Sequence, residues 1–317
     1  MKKMLFAIVM VFSISAGAVE LAVTAVKTLK RVTPGTITLK DENGWLYSKN
    51  ELAHLSRGPL AQSAVERNSA AGRNKNPIPA IVKFNEALKA LNIKLIVVPV
   101  PPKSAFYPFT GIERDAAMKY LLPFYNELRT SGVTVLDLSN AFRKSDKRVY
   151  CKTDAHWSPE GIMIAVKQLA EIIPERGTEK YKINISDVKI SGDLAKSLNP
   201  SAPEQEIIKM YTVSGKTFDE NSPVLLLGDS HTLIFSSGDD MLASDSGLGE
   251  LLASELRLPV DRIGVKGSAA TTVRINLFRK AVKSPEWLKN KKYIIYCFSC
   301  REFTETSGGW RVVPVQR

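Results

Sequence analysis

Two rhythms of apolar and polar positions run along this chain. Short, largely apolar runs occur at 93–98, 133–138, 224–227, 262–265 and 293–298. Runs of this length, closed off by turn residues, mark strands buried on both faces. Between them, apolar residues recur at 3.6-residue spacing over 79–91, 115–128, 158–173, 248–256 and 271–282, with Pro123 marking a break in the second. The segment 158–173 carries the fullest start signal: Ser158 as N-cap, Pro159 in the first position and Glu160 in the first turn. Its apolar positions Ile162, Ala165, Val166, Leu169 and Ile173 line one face. Strands alternating with helices predict a mostly parallel sheet with helices on both faces, a three-layer α/β/α domain. Residues 19–60, with the turn "DENGWLYSKNEL", read as a lead-in, and 61–317 as the domain proper. The polar stretch at about 175–222 reads as an irregular excursion from it.

The N-terminus changes the picture. Lys2 and Lys3 precede an apolar run from Met4 to Ile14, then Ala16-Gly17-Ala18. That is the layout of a secretory signal peptide, 1–18, cleaved after Ala18. The run is shorter than the ~20 residues of a spanning helix, although a retained N-terminal anchor is the alternative. The expected location is therefore periplasmic or secreted. The formal net charge is +12, and the chain stays strongly basic after loss of the two lysines. Basic balance favours polyanion partners, and export excludes nucleic acid among them. Three cysteines, Cys151, Cys297 and Cys300, are too few for a disulfide scaffold and leave plain burial or one bridge. Their C-x-x-C ends an apolar strand, outside any redox context.

Candidate chemistry begins at "VLLLGDSHTLIF" (224–235), where a buried strand ends on a turn that presents Ser230. Functional groups gather at the carboxyl ends of strands in such sheets. A serine hydroxyl needs a base to become a nucleophile, and the chain has only His54, His156 and His231. His231 adjoins Ser230 and is expected to point away from it; His54 reads as structural or as a surface residue. His156 lies in "YCKTDAHWSPEG" with Asp154 two residues upstream, a spacing that lets the carboxylate orient the imidazole. Ser230, His156 and Asp154 are thus the candidate nucleophile, base and acid. The alternative is that Asp154 and His156 are turn and cap residues. No third ligand cluster sits nearby in sequence, so a metal is not expected, nor is a cofactor. Asp229 reads as a turn-holding residue. Lys103, at the strand end "VPVPPK", is either a contact for an acidic sugar or a solvated turn lysine. Arg301, at the end of the last strand, is a site-facing candidate. Trp45 and Trp157 have rings suited to sugar stacking, with burial as the commoner outcome.

On these residues the chain resembles the SGNH hydrolases, in a permuted order. Their serine normally comes first and the acid and base last; here "TDAHW" precedes "GDSH". This order resembles the alginate O-acetyltransferase branch, of the AlgX/AlgJ type. "GWLY" at 44–47, "LIVVPVPPKSAFYP" at 95–108, "TDAHWSPEG" at 153–161, "GDL" at 192–194 and "LLLGDSHT" at 225–232 carry it, over about 40–305. The resemblance implies an SGNH-like fold in the periplasm, and acetyl transfer to a secreted, possibly acidic polysaccharide through an acetyl-serine. It also implies a membrane O-acyltransferase as acetyl source. A carbohydrate esterase and a non-catalytic export scaffold are the alternatives. The G-x-N-D block of SGNH enzymes has no clear match. Ser299 or Arg301 in "YCFSCRE" stand where its asparagine would fall. The amides of Gly267 and Ser268 in "GVKGSAATT" stand where the glycine block would fall, with the Ser230 amide as a further oxyanion donor. No carbohydrate-binding module follows the domain in this sequence.

Overall fold

Strands that are apolar on both sides must be covered on both sides, and the chain achieves this with one parallel sheet. The computed structural model describes residues 16–30, 33, 35–58, 69–109 and 116–316. In chain order the elements begin α1 (Ala16–Lys30), β1 (Thr38–Lys40), β2 (Leu46–Ser48), α2 (Lys49–Ser56), α3 (Pro77–Lys89), β3 (Lys94–Val100) and α4 (Ala116–Thr130). There follow β4 (Thr134–Val135), α5 (Ser139–Lys144), α6 (Pro159–Ile172), β5 (Lys182–Ile190), α7 (Asp193–Leu198), β6 (Glu206–Ser214) and β7 (Val224–Gly228). The last are α8 (Leu248–Leu256), β8 (Asp261–Gly264), α9 (Thr272–Lys283), α10 (Pro285–Lys289), β9 (Tyr293–Ser299) and α11 (Glu302–Glu305).

The central sheet has the order β4-β3-β9-β7-β8, and its paired neighbours are all parallel. β9 joins the two halves: Tyr296 lies opposite Val97 on one side and Leu227 on the other. Val224, Leu225, Leu226 and Leu227 are fully buried. Each such side chain contributes about 1.5–3 kcal/mol relative to exposure. From β3 the chain steps outward one way to β4, and from β7 the other way to β8. The carboxyl ends of β3, β9 and β7 therefore meet at a topological switch point, where open α/β sheets place their ligands.

Helix α3 packs on β3, α9 packs on β7 and β8, and α6 packs against α8. The lead-in is built into this core: Leu21, Ala25, Leu52 and Leu55 are buried in it. Of the expected leader, residues 1–15 lie outside the described residues, and α1 starts at Ala16. Among the described residues no helix is long and apolar enough to cross a membrane.

Three expectations change. The run 133–138 pairs only at Thr134–Val135, because Asp137 Oδ1 accepts the Ser139 amide and starts α5. α4 continues through Pro123. The excursion at 175–222 is ordered: β5 and β6 form an antiparallel ribbon from Lys182↔Ser214 to Ile190↔Glu206, with α7 between them. All three cysteines are buried free thiols, and burial pushes their pKa values up.

Candidate active site

Gly228 ends β7 where the strand crowds its neighbour: a Cβ there would overlap the Cys297 carbonyl. The next residue, Asp229, locks the turn. Its Oδ1 accepts the His231 amide at 2.9 Å, and its Oδ2 accepts the Ser299 amide at 2.8 Å. The 3-10 turn Ser230–Thr232 follows, stitched by the Thr232 hydroxyl donating to the Asp229 carbonyl. Asp229 holds the turn, and Ser230 is left at the mouth of the sheet.

The loop before α6 brings the other two groups. It is pinched by a bridge between Tyr150 and Trp157. Within it, Asp154 Oδ1 accepts the His156 amide at 2.9 Å and lies 2.6 Å from His156 Nδ1. His156 Nε2 lies 2.7 Å from Ser230 Oγ. An ionised carboxylate only accepts, so Nδ1 carries the proton and Nε2 presents its lone pair to the serine hydroxyl. The three residues are 1%, 5% and 8% exposed, so this line of hydrogen bonds is sheltered from water.

Burial opposes the charged form of both members of the pair, but their mutual attraction outweighs it. The His156 imidazole is raised above its ordinary value, chiefly by Asp154, and Asp154 is held well below the usual carboxylate range. His231 stands 4.8 Å away, ring centre to ring centre. Its pKa is lowered, by burial and by the charges of His156 and Arg301, which outweigh Asp229. Proton binding is thus favoured at His156 and disfavoured at its neighbour.

Groups far away in sequence brace this loop. Glu206 Oε1 accepts the Thr153 amide and hydroxyl, both at 2.7 Å, and Oε2 accepts the Lys152 amide at 3.1 Å. Asp193 Oδ1 accepts the Ala155 amide, and the Asp193 amide donates to Asp154 Oδ2, both at 2.8 Å. Gly192 packs so close that a Cβ would reach 2.5 Å from the Asp154 Cβ and overlap the Thr153 carbonyl. Asp154, His156 and Asp193 bring ligand-type atoms within 4.8 Å of one another. Asp193 is the third group that the local sequence did not reveal, and N–H donors already engage the carboxylates of this cluster.

The remaining candidates separate. Lys103 is a correction: it is 1% exposed, and its ammonium is enclosed by protein, so it touches neither polymer nor solvent. Ser299 spends its amide on Asp229, which leaves its half-buried side chain beside the turn. Among the described residues, the amides of Ser230, Gly267 and Ser268 have no protein partner. Gly267 adopts φ +92°, a conformation suited to glycine. Ser268 Oγ is held by Glu302 and lies 2.9 Å from Thr306 Oγ1. Arg301 is half-buried, with no carboxylate in ion-pair range among the described residues. Trp157 is fully buried, whereas Trp45 is half-buried and stacks on Tyr107 at 3.9 Å. His54, on α2, is fully buried and paired with Thr304.

Residues 39–287 match the family model described as "SGNH hydrolase-like domain, acetyltransferase AlgX". A probable alginate O-acetylase AlgJ of Pseudomonas fluorescens is 26% identical over 227 residues, 63% of this chain and 54% of that protein. The Azotobacter vinelandii counterpart is 25% identical over 243 residues, 72% of this chain and 53% of that protein. The chain thus spans about half the length of these curated relatives. Among solved structures, the O-acetyltransferase domain of Pseudomonas putida AlgJ superposes with a TM-score of 0.63 at 18% identity, covering 85% of this chain and 93% of that one. Pseudomonas aeruginosa AlgX does so with 0.59 at 16% identity, covering 90% and 66%. At such identities the likeness is one of fold.

Proposed function

The chain belongs to the SGNH hydrolase-like acetyltransferase family typified by AlgX, and from that premise we propose that it moves acetyl groups onto hydroxyls of a secreted polysaccharide. The observation that carries this reading is the buried line Asp154–His156–Ser230, with contacts of 2.6 and 2.7 Å. His156 Nε2 takes the Ser230 proton as Oγ attacks the acetyl carbonyl. The tetrahedral oxyanion collapses, the donor's leaving group departs with that proton, and acetyl-serine remains. An acceptor hydroxyl then gives its proton to His156 and attacks the acetyl carbon. Ser230 leaves and recovers the proton. Asp154 holds the tautomer and stabilises the imidazolium without becoming protonated. The free amides of Ser230, Gly267 and Ser268 are the oxyanion donors, each worth about 10²–10³ in rate. Arg301 faces the acceptor, and the chain's +12 charge fits an acidic polymer. The site works in the periplasm, supplied with acetyl by a membrane O-acyltransferase.

The test uses residues 19–317 with an activated acetyl ester and uronate oligosaccharides, following acetyl on protein, sugar and water by mass spectrometry. Acetylated sugar that vanishes in Ser230→Ala is the expected result. Free acetate alone points to an esterase. No acetyl on any species, with wild type equal to the variant, points to a scaffold.

A further inference from the structure

A fully buried lysine is rare, because an ammonium removed from water costs several kcal/mol unless the protein re-solvates it. Lys103 follows β3 on the 3-10 turn Lys103–Ala105, placed there by Pro101 and Pro102. Its Nζ donates to the carbonyl of Leu46 at 2.7 Å and to the carbonyl of Asp154 at 2.6 Å. The rings of Trp45 and Tyr47 lie 5.8 and 5.6 Å away, within cation–π range. Two carbonyls and two ring faces therefore replace water around one cation. Burial pushes the Lys103 pKa below its ordinary value, and the titratable groups facing it, Glu51 on α2, Asp154 and Cys151 on the loop, and Asp193 on α7, act in the opposite direction and favour the ammonium. Glu51 is itself fixed, accepting the Ser104 amide at 2.8 Å.

Packing alone does not call for this arrangement. A methionine would fill the space without the desolvation cost. The carbonyl it holds belongs to the residue whose side chain orients His156. We propose that Lys103 is a positioning residue of the acetyl-transfer site: it pins the Asp154 backbone so that Oδ1 meets His156 Nδ1, and it keeps a positive charge behind the pair. His156 is surrounded by Asp154, Asp193 and Asp229, which favour its protonated form, with His231 on the other side. A cation bound to the backbone of the nearest carboxylate acts against those three. It keeps a usable fraction of the imidazole free to accept the serine proton. This inference rests on the catalytic reading above.

The test compares Lys103→Met and Lys103→Gln in the full chain. Gln keeps two N–H donors without the charge. Three quantities are read: melting temperature, kcat and KM for acetyl transfer from an activated ester, and the His156 imidazole titration followed by NMR. In Lys103→Met, kcat falls about 10- to 100-fold with KM unchanged, as a misplaced catalytic pair predicts. His156 titrates at higher pH in both variants, and Gln recovers part of kcat. Folded variants with wild-type kcat and an unchanged His156 titration overturn the proposal. So does a loss of activity that only follows the melting temperature. If Met does not fold, Gln and its titration decide. If wild type shows no Ser230-dependent transfer, the catalytic reading fails, and the NMR shift still tests the effect of the charge.

Discussion

Two histidines 4.8 Å apart are pushed in opposite directions by their neighbours. In the proposed mechanism the base form of His156 is the working form, and its pKa is raised above 6.5. The acid limb of kcat/KM for acetyl-enzyme formation is therefore expected above pH 6.5. Replacing Asp154 by Asn removes the charge that raises it, so the limb moves to lower pH while kcat falls about 10²- to 10⁴-fold. A stopped-flow pH profile of both proteins checks this; a limb that stays in place in Asp154→Asn refutes the pairing. These three residues were legible because the chain offers so few histidines, and because G-D-S after an apolar run and D-x-H before a capped helix are local patterns. Lys103 was not legible. At the end of "VPVPPK" it looks solvated, and what covers it, Trp45 to Tyr47, lies more than fifty residues upstream. Glu206 was hidden for the same reason.

Among the elements, the ribbon of β5 and β6 is what holds the D-x-H loop. Its last pair, Ile190↔Glu206, puts Glu206 under Thr153, and Gly192 and Asp193 follow directly from β5. Replacing Glu206 by Gln removes a charged acceptor of four hydrogen bonds, one of them from the Arg148 guanidinium, at a cost of about 2–3 kcal/mol. Thermal unfolding should register it together with a lower kcat. Gly192→Ala forces a methyl into the Thr153 carbonyl and is expected to cost about 1–3 kcal/mol. Activity falling at constant KM marks a displaced loop, and unchanged kinetics would show that the close approach is not needed. The ribbon escaped the sequence reading because β5 is exposed along nearly its whole length. Lysines and serine interleave with its isoleucines, so no apolar run announces it. The buried strands β3, β7 and β9 had runs and were read within a residue or two, as was α8. On the other side of β9, Glu302 joins the loop after β8 to α11 through Ser268. Burial raises its pKa from 4.5 to about 7. The folded state therefore binds a proton that the unfolded chain has lost between those values. That stability is full below pH 4.5 and is lost as pH rises through 7. Glu302→Gln should flatten this part of the stability–pH curve.

Over the whole molecule, the lead-in and the last turn are joined by one seam. His54 on α2 meets Thr304, and Arg57 pairs with Glu305 at 2.8 Å. Thr304 Oγ1 donates to Glu305 Oε1 at 2.9 Å, so His54 Nδ1 donates to Thr304. Burial, with Arg301 and Arg57, lowers the His54 pKa from 6.5 to about 3. Here the unfolded chain binds the extra proton, so this contribution is intact above pH 6.5 and is lost as pH falls toward 3. Its sign is opposite to that of Glu302. His54→Asn should make the melting temperature less sensitive to pH between 6.5 and 4; an equal slope in both proteins would rule out His54 as the source. The seam also shows that α2 is not part of a detachable arm, which a reading of the sequence as lead-in plus domain did not bring out.

The strand that comes last in the chain lies in the middle of the sheet. Until 293–299 have been made and delivered, β3 and β7 have no common neighbour, and each presents a bare edge of unpaired amides and carbonyls. A polypeptide made N-terminus first must keep those two edges from pairing with anything else while about two hundred residues follow β3. Ser299 also supplies the amide that fixes Asp229. The same late strand that closes the sheet thus completes the turn beneath Ser230, so the hydroxyl takes up its working position only once the whole chain has arrived. A site assembled in this order stays silent until the chain is complete.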